Sequence, residues 1–259
     1  MESISFKNGS YETTELNISL FAKLTPSFIF YFRLLPIVFR SSYKAKRRLY
    51  DTSEWAKSSF DVLRALESVG VKIRITGIDN FKDTSEPCVF IANHMSTLET
   101  FVLPSIIAPF KEVTFVVKQN LVDYPVFRHV MRSRDPITVT RKDPRKDLMA
   151  VLEGGTKKLK SGVSMIIFPQ TTRTTVFDPS DFNTIGIKLA KRANVPIIPV
   201  ALKTDAWGNG KYLKDFGKIN PSKIVYFSFG KPLKVSNQGS REHQEVISFI
   251  SQKLEEWPD

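Results

Sequence analysis

Cys88-Val89-Phe90-Ile91-Ala92-Asn93-His94-Met95-Ser96-Thr97-Leu98-Glu99 is the stretch that decides how this chain folds. Its first five residues form an unbroken apolar run, short enough for a strand and of the kind that is covered on both faces. Residues 98–107 then take up helical periodicity. A buried strand that passes through a short polar turn into a helix is the building unit of an α/β fold.

The same alternation extends in both directions. Strands are expected at 71–76, 113–117, 137–139, 163–168, 197–202 and 224–229, and helices at 124–131, 145–159, 182–193 and 241–257. Upstream, residues 52–69 carry Trp55, Phe60, Leu63, Leu66 and Val69 near helical spacing, with Asp51, Thr52 or Ser53 to cap the start and Gly70 to end it. The pattern predicts an α/β fold with a mostly parallel central sheet flanked by helices. No internal repeat or inter-domain linker interrupts it.

The first 15 residues read as a loose polar terminus. Residues 16–39 turn apolar, interrupted by Lys23 and Arg33 and broken by Pro26 and Pro36, and a basic cluster follows at Arg40, Lys44, Lys46, Arg47 and Arg48. One reading is an amphipathic segment lying in a membrane interface with its cations on anionic headgroups. The competing reading is a hydrophobic helix packed on the core beside a solvated charge run.

Composition narrows the partners. Of 259 residues, 42% are hydrophobic, which suits a folded globular chain, and 20 are Phe. The net charge of +12 favours polyanions: anionic lipid, a phosphate-rich donor, or nucleic acid. No recognition motif for nucleic acid accompanies the charge, so that partner is not expected. The single cysteine, Cys88, excludes an intrachain disulfide and reads as a buried structural thiol. With three glutamates in the first fifteen residues and no run of about 18 apolar residues, neither a signal peptide nor a membrane span is expected. The cytoplasmic face of a membrane, reached peripherally, follows as the expected location.

Four blocks carry candidate chemistry. His94 follows a buried strand, at the strand end where α/β proteins gather their sites, and its imidazole suits a general base. Glu99, five residues on, can fold back to orient one ring nitrogen and leave the other for a substrate proton. The second block is Arg141, directly after the strand at 137–139. The third is Phe168-Pro169-Gln170-Thr171-Thr172-Arg173-Thr174, also after a strand, whose guanidinium, hydroxyls and amide suit a phosphate. The fourth is Val195-Pro196-Ile197-Ile198-Pro199-Val200, which has no reactive group and reads as wall.

In this order the four blocks resemble the glycerolipid acyltransferase superfamily, which includes 1-acylglycerol-3-phosphate acyltransferases. That family carries Asn-His-x4-Asp, an Arg-ended strand, Phe-Pro-Glu-Gly-Thr-Arg-Ser and Val-Pro-Ile-x-Pro-Val. The resemblance spans residues 71–229. It implies that His94 deprotonates the acceptor hydroxyl, that Glu99 orients it, and that Arg141 and Arg173, with Gln170, Thr171, Thr172 and Thr174, bind the acceptor. The acceptor would be a lysophospholipid, and the donor acyl-CoA or acyl carrier protein. No cofactor and no metal would be required. Residues 1–50 would form a membrane-interface helical segment and 51–259 the acyltransferase domain. Three departures stand out: Glu99 replaces Asp, Gln170 replaces Glu and Thr171 replaces Gly. The competing expectation is a catalytically silent relative that binds lipid or acyl carrier protein.

Overall fold

The computed structural model of the chain describes residues 3–14, 18–170, 172–211 and 214–258. Its helices are α1 (Leu20–Leu24), α2 (Pro26–Lys46), α3 (Thr52–Glu67), α4 (Leu98–Ile107), α5 (Phe127–Ser133), α6 (Pro144–Lys160), α7 (Ile185–Ala193) and α8 (Ser240–Glu256). Its strands are β1 (Tyr11–Glu12), β2 (Ile73–Thr76), β3 (Val89–Ala92), β4 (Val113–Lys118), β5 (Ile137–Val139), β6 (Ser164–Ile167), β7 (Ile197–Lys203) and β8 (Val225–Phe229). They form one sheet in the order β1-β2-β8-β7-β3-β6-β4-β5. Strands β7, β3, β6, β4 and β5 run parallel, and β2 runs parallel to β8. The β1–β2 and β7–β8 joins are antiparallel.

Successive side chains of a strand face opposite ways, and here each way leads into a core. Phe90 and Ala92 of β3 join the cluster that includes α2, α3 and α4. Val89 and Ile91 join the cluster beneath α6, α7 and α8. Burial on both faces explains the unbroken apolar run in the sequence. Each such large side chain contributes about 1.5–3 kcal/mol of burial. On the second face Gly186 lets α7 approach β3 closely, since a Cβ there would stand 2.6 Å from Ile91 Cδ1.

The strand ends matter most for function. Because β3, β4, β5, β6 and β7 are parallel, the turns after them emerge along one edge of the sheet. His94, Arg141, Arg173 and residue 204 onward all lie in those turns.

Three features differ from the sequence reading. Of the first 15 residues, 3–14 are described and are not loose: β1 pairs with β2, and Glu67, buried in α3, accepts hydrogen bonds from Tyr11 Oη (2.5 Å) and Thr13 Oγ1 (2.7 Å). Pro36 does not break α2, because its ring sits on the exposed face and the helix runs through it. The helix expected at 124–131 begins at Phe127, where Pro125 disfavours helical backbone at Tyr124 and Val126 adopts φ 71°.

The segment after residue 18 is buried along one face and exposed along another. Phe30, Leu34, Val38 and Ala45 are buried in α2, a helix that packs on α3 and α5, and the Phe30 ring meets Trp207. On another face Phe28, Phe32, Leu35, Phe39 and Tyr43 are exposed, continuing from Phe21 and Leu24 of α1. Steps of three and four along this series mark a single helical stripe. Of the basic cluster, Arg40 pairs with Asp61 and Lys44 with Glu54, and Arg47 lies over the Tyr43 ring. Among the described residues no helix is long and apolar enough to cross a membrane.

Candidate active site

Glu99 sits in the first turn of α4, entirely buried. Its Oε1 accepts hydrogen bonds from His94 Nδ1 (2.8 Å), Met95 N–H (2.7 Å) and Ser96 N–H (2.9 Å). Its Oε2 accepts from Thr204 Oγ1 at 2.5 Å and lies 3.1 Å from Ser96 Oγ. Burial pushes the Glu99 carboxyl up, but hydrogen bonds from His94, Thr204 and the Ser96 backbone outweigh it and hold the group below the usual carboxylate range. The positive end of α4 acts in the same direction. Glu99 is therefore an ionised acceptor, so His94 Nδ1 must be the donor in their bond. The other nitrogen, Nε2, takes no part in that bond.

His94 is itself held from three sides. Its ring stacks on Phe168, with centroids 4.3 Å apart. Its N–H donates to Gln170 Oε1 (2.7 Å), and its carbonyl accepts from Thr174 N–H (3.0 Å). Asn93 fastens the same turn to β7, donating to Leu202 O and accepting from Leu202 N–H, both at 2.8 Å. The ring remains partly open, with 16% of its side-chain surface accessible. An imidazole fixed through Nδ1 at an open edge can take a proton from a bound hydroxyl through Nε2.

The third block lies against the first. Gln170 is almost fully buried, and its Nε2 donates to Thr174 Oγ1 (3.0 Å), whose hydroxyl donates to Val176 O (2.7 Å). Gln170 thus supports His94 from within the fold. Arg173 donates through Nη1 to Thr97 Oγ1 and through Nη2 to Asp215 Oδ1 (2.8 Å). Thr172 is exposed, and Thr171 lies outside the described residues. Arg141 follows β5, which β4 separates from β6, so its backbone stands about 10 Å along the sheet from the third block. Its N–H donates to Asp147 Oδ2 (2.6 Å), and its φ is 59°. The structure thus gathers His94, Glu99, Gln170, Arg173 and Thr174 into one cluster and sets Arg141 to one side.

Cys88 is buried at the opposite end of β3, its thiol pushed up to about 12 by burial, which removes it as a nucleophile.

Several supporting residues were not singled out from sequence. Ser96 had a local signal, since Ser96-x-x-Glu99 has capping-box spacing. Thr204 and Asp215 fall in the long polar stretch 203–218, whose length points to a role at the acceptor site without marking either residue. They reach Glu99 and Arg173 only through the sheet order.

Comparison with known proteins identifies the family of the chain. Residues 72–203 match the family described as Acyltransferase, a span that holds the cluster apart from Thr204 and Asp215. The chain is 27% identical over 227 residues to a 1-acyl-sn-glycerol-3-phosphate acyltransferase of Pseudomonas aeruginosa, covering 87% of this chain and 80% of the relative. It is 25% identical over 202 residues to a protein of the same name from Borreliella burgdorferi, covering 76% and 77%. A chloroplastic 1-acyl-sn-glycerol-3-phosphate acyltransferase from Brassica napus is 28% identical over 142 residues, covering 55% of this chain and 39% of the relative. The crystal structure of PlsC, a 1-acyl-sn-glycerophosphate acyltransferase from Thermotoga maritima, superposes with a TM-score of 0.66 over 92% of this chain and 99% of that one. At 21% identity it shares the fold.

Proposed function

The chain belongs to the acyltransferase family, and from that membership we propose that it moves a fatty acyl group from an acyl thioester onto the free hydroxyl of a lysophospholipid, 1-acylglycerol-3-phosphate first among them. The observation that carries this reading is the 2.8 Å contact between His94 Nδ1 and the ionised Glu99. His94 Nε2 takes the proton of the acceptor hydroxyl as its oxygen attacks the thioester carbonyl. The tetrahedral adduct collapses, the carbon–sulfur bond breaks, and the proton on His94 leaves with the thiol. Glu99 stabilises the imidazolium formed between these steps. No acyl-enzyme is needed. Acyl-CoA and acyl carrier protein both fit as donor, and the +12 charge suits either. Arg173 takes the acceptor phosphate, with Thr172 beside it and Arg141 as a second, outlying cation.

The exposed stripe of α1 and α2 lies in the interface of an anionic membrane as the anchoring part of residues 1–50. Val176 and Phe216, exposed on turns after β6 and β7, extend an apolar rim along the edge that bears His94. A lipid acceptor then reaches His94 without crossing water.

The test is acyl transfer from a labelled long-chain acyl-CoA, and separately from acyl carrier protein, to a panel of lysophospholipids. Product with 1-acylglycerol-3-phosphate supports the reading. No product with any pairing would overturn it in favour of a catalytically silent, lipid-binding relative.

A further inference from the structure

Asp215 is the residue on Arg173 that neither the family match nor the proposed chemistry accounts for. Its Oδ1 accepts from Arg173 Nη2 at 2.8 Å and from Thr97 Oγ1 at 3.1 Å. Thr97 also accepts from Arg173 Nη1, so the carboxylate, guanidinium and hydroxyl close a three-member ring two residues before Glu99. The two charges differ in exposure: 19% of the Arg173 side chain is accessible against 45% for Asp215. The guanidinium is lodged in the site, and the carboxylate reaches it from the solvent side.

The loop that brings Asp215 there is fastened to the helix bearing the apolar stripe. Tyr31 Oη donates to Gly217 O (2.6 Å), Ile219 N–H donates to Ser27 Oγ (2.9 Å), and the Tyr31 ring packs on Phe216 at 5.6 Å. On its other side the loop touches the site again, where Asn209 Nδ2 donates to Met95 O (3.2 Å). Gly217 is pressed against Gly208, and a Cβ there would stand 1.6 Å from Gly208 O. Residues 215–219 thus join α2 to Arg173.

The geometry points to Asp215 as a resident counter-anion on Arg173, one that the acceptor's phosphate displaces on binding, with α2 holding the loop in its occluding position through Tyr31. The inference rests on the reading of Arg173 as the acceptor-phosphate residue. A carboxylate and a phosphate compete for the same guanidinium donors. The carboxylate's half-exposure keeps the pair weak enough to exchange. Asp215 acts on substrate through Arg173 and so sets how much acceptor is needed, without entering the transfer step.

The experiment is steady-state transfer to 1-acylglycerol-3-phosphate by the full chain, with KM and kcat read separately, together with inhibition by glycerol 3-phosphate as a headgroup probe. Asp215→Asn should lower the acceptor KM and the inhibition constant by roughly two- to fivefold, the range of a partly exposed ion pair. Asp215→Glu, which keeps the carboxylate, should stay near the native values. Tyr31→Phe, which frees the loop from α2, should shift KM in the same direction but less. In an Arg173→Ala background the effect of Asp215→Asn should vanish. A KM that rises or stays unchanged in Asp215→Asn, while Arg173→Ala raises it, would overturn this inference and leave the phosphate reading intact. An Arg173→Ala protein with native KM would overturn that reading itself.

Discussion

His94 and Glu99 are five residues apart in sequence and 2.8 Å apart through Nδ1 and Oε1, with the carboxylate fully buried and the imidazole at its margin. The turn between them is too short for this to be incidental. Met95 and Ser96 give their N–H groups to the same carboxylate, so the backbone wraps around Glu99 while the ring is drawn inward. The extra methylene relative to the family's Asp lets one carboxylate reach His94 on one side and Thr204, beyond β7, on the other.

Glu99→Ala should cost about 3–5 kcal/mol of stability, because it leaves several buried donors without an acceptor, and should reduce turnover by at least a hundredfold. Glu99→Asp keeps the charge but shortens the reach, so the Thr204 bond and the His94 bond cannot both keep their geometry. A misplacement near 1 Å predicts a turnover loss of about ten- to a hundredfold with a smaller stability loss. Chemical denaturation and steady-state kinetics on the two variants check this. Native turnover in Glu99→Ala would remove the residue from the site.

Glu99 also sets a pH dependence. Its carboxyl is held below the ordinary range in the folded chain, so its contribution to stability is complete above the unfolded value of about 4.3 and is lost as pH falls toward the lowered one. Other carboxylates add their own acid sensitivity, so the difference between native chain and Glu99→Gln is the quantity to follow. That difference should shrink as pH drops from 6 to about 3 in urea titrations. Parallel curves would contradict the assignment.

Gln170 departs from the family's Glu, yet the contact it makes to His94 N–H needs only an acceptor oxygen. Gln170→Glu keeps that acceptor and costs about 1 kcal/mol, through the Thr174 hydroxyl turning away from Val176 O. Gln170→Ala leaves the buried N–H unpaired and should cost about 1–3 kcal/mol, with a larger fall in turnover. Thermal unfolding of the pair should rank Ala below Glu; the reverse order would refute the backbone-support role.

The proposed membrane anchor has a direct test. Phe28→Ser with Phe32→Ser removes two exposed rings that make no core contact in the first cluster. Vesicle sedimentation with anionic liposomes should show binding weakened about tenfold or more, from the apolar area lost at about 25 cal/mol per Å². The melting temperature should stay within a few degrees. Unchanged binding would argue that the stripe serves another partner.

Much of this was legible in the sequence, and the reasons differ by element. The strands β3 and β7 are buried on both faces, so their composition alone marked them. The pairing of His94 with Glu99 was readable because it is local, made within one turn. The support from Thr204 and the ring of Arg173, Thr97 and Asp215 was not, since it depends on β7 and β6 lying either side of β3. The seat of β1 was hidden for a similar reason: a two-residue strand has no periodicity, and its partner Glu67 looks solvent-facing in sequence. Pro36 misled because a proline rule about helix interiors weakens where the missing hydrogen bond faces outward.

The proposed transfer turns on His94. Acyl transfer from labelled acyl-CoA or acyl carrier protein to 1-acylglycerol-3-phosphate should be measured for the native chain and for His94→Ala, with folding of the variant checked by its melting temperature. Loss of at least a thousandfold in kcat with the fold retained is the predicted result, because the proton of the acceptor hydroxyl then has no base. Native-level transfer by a folded His94→Ala protein would contradict the mechanism.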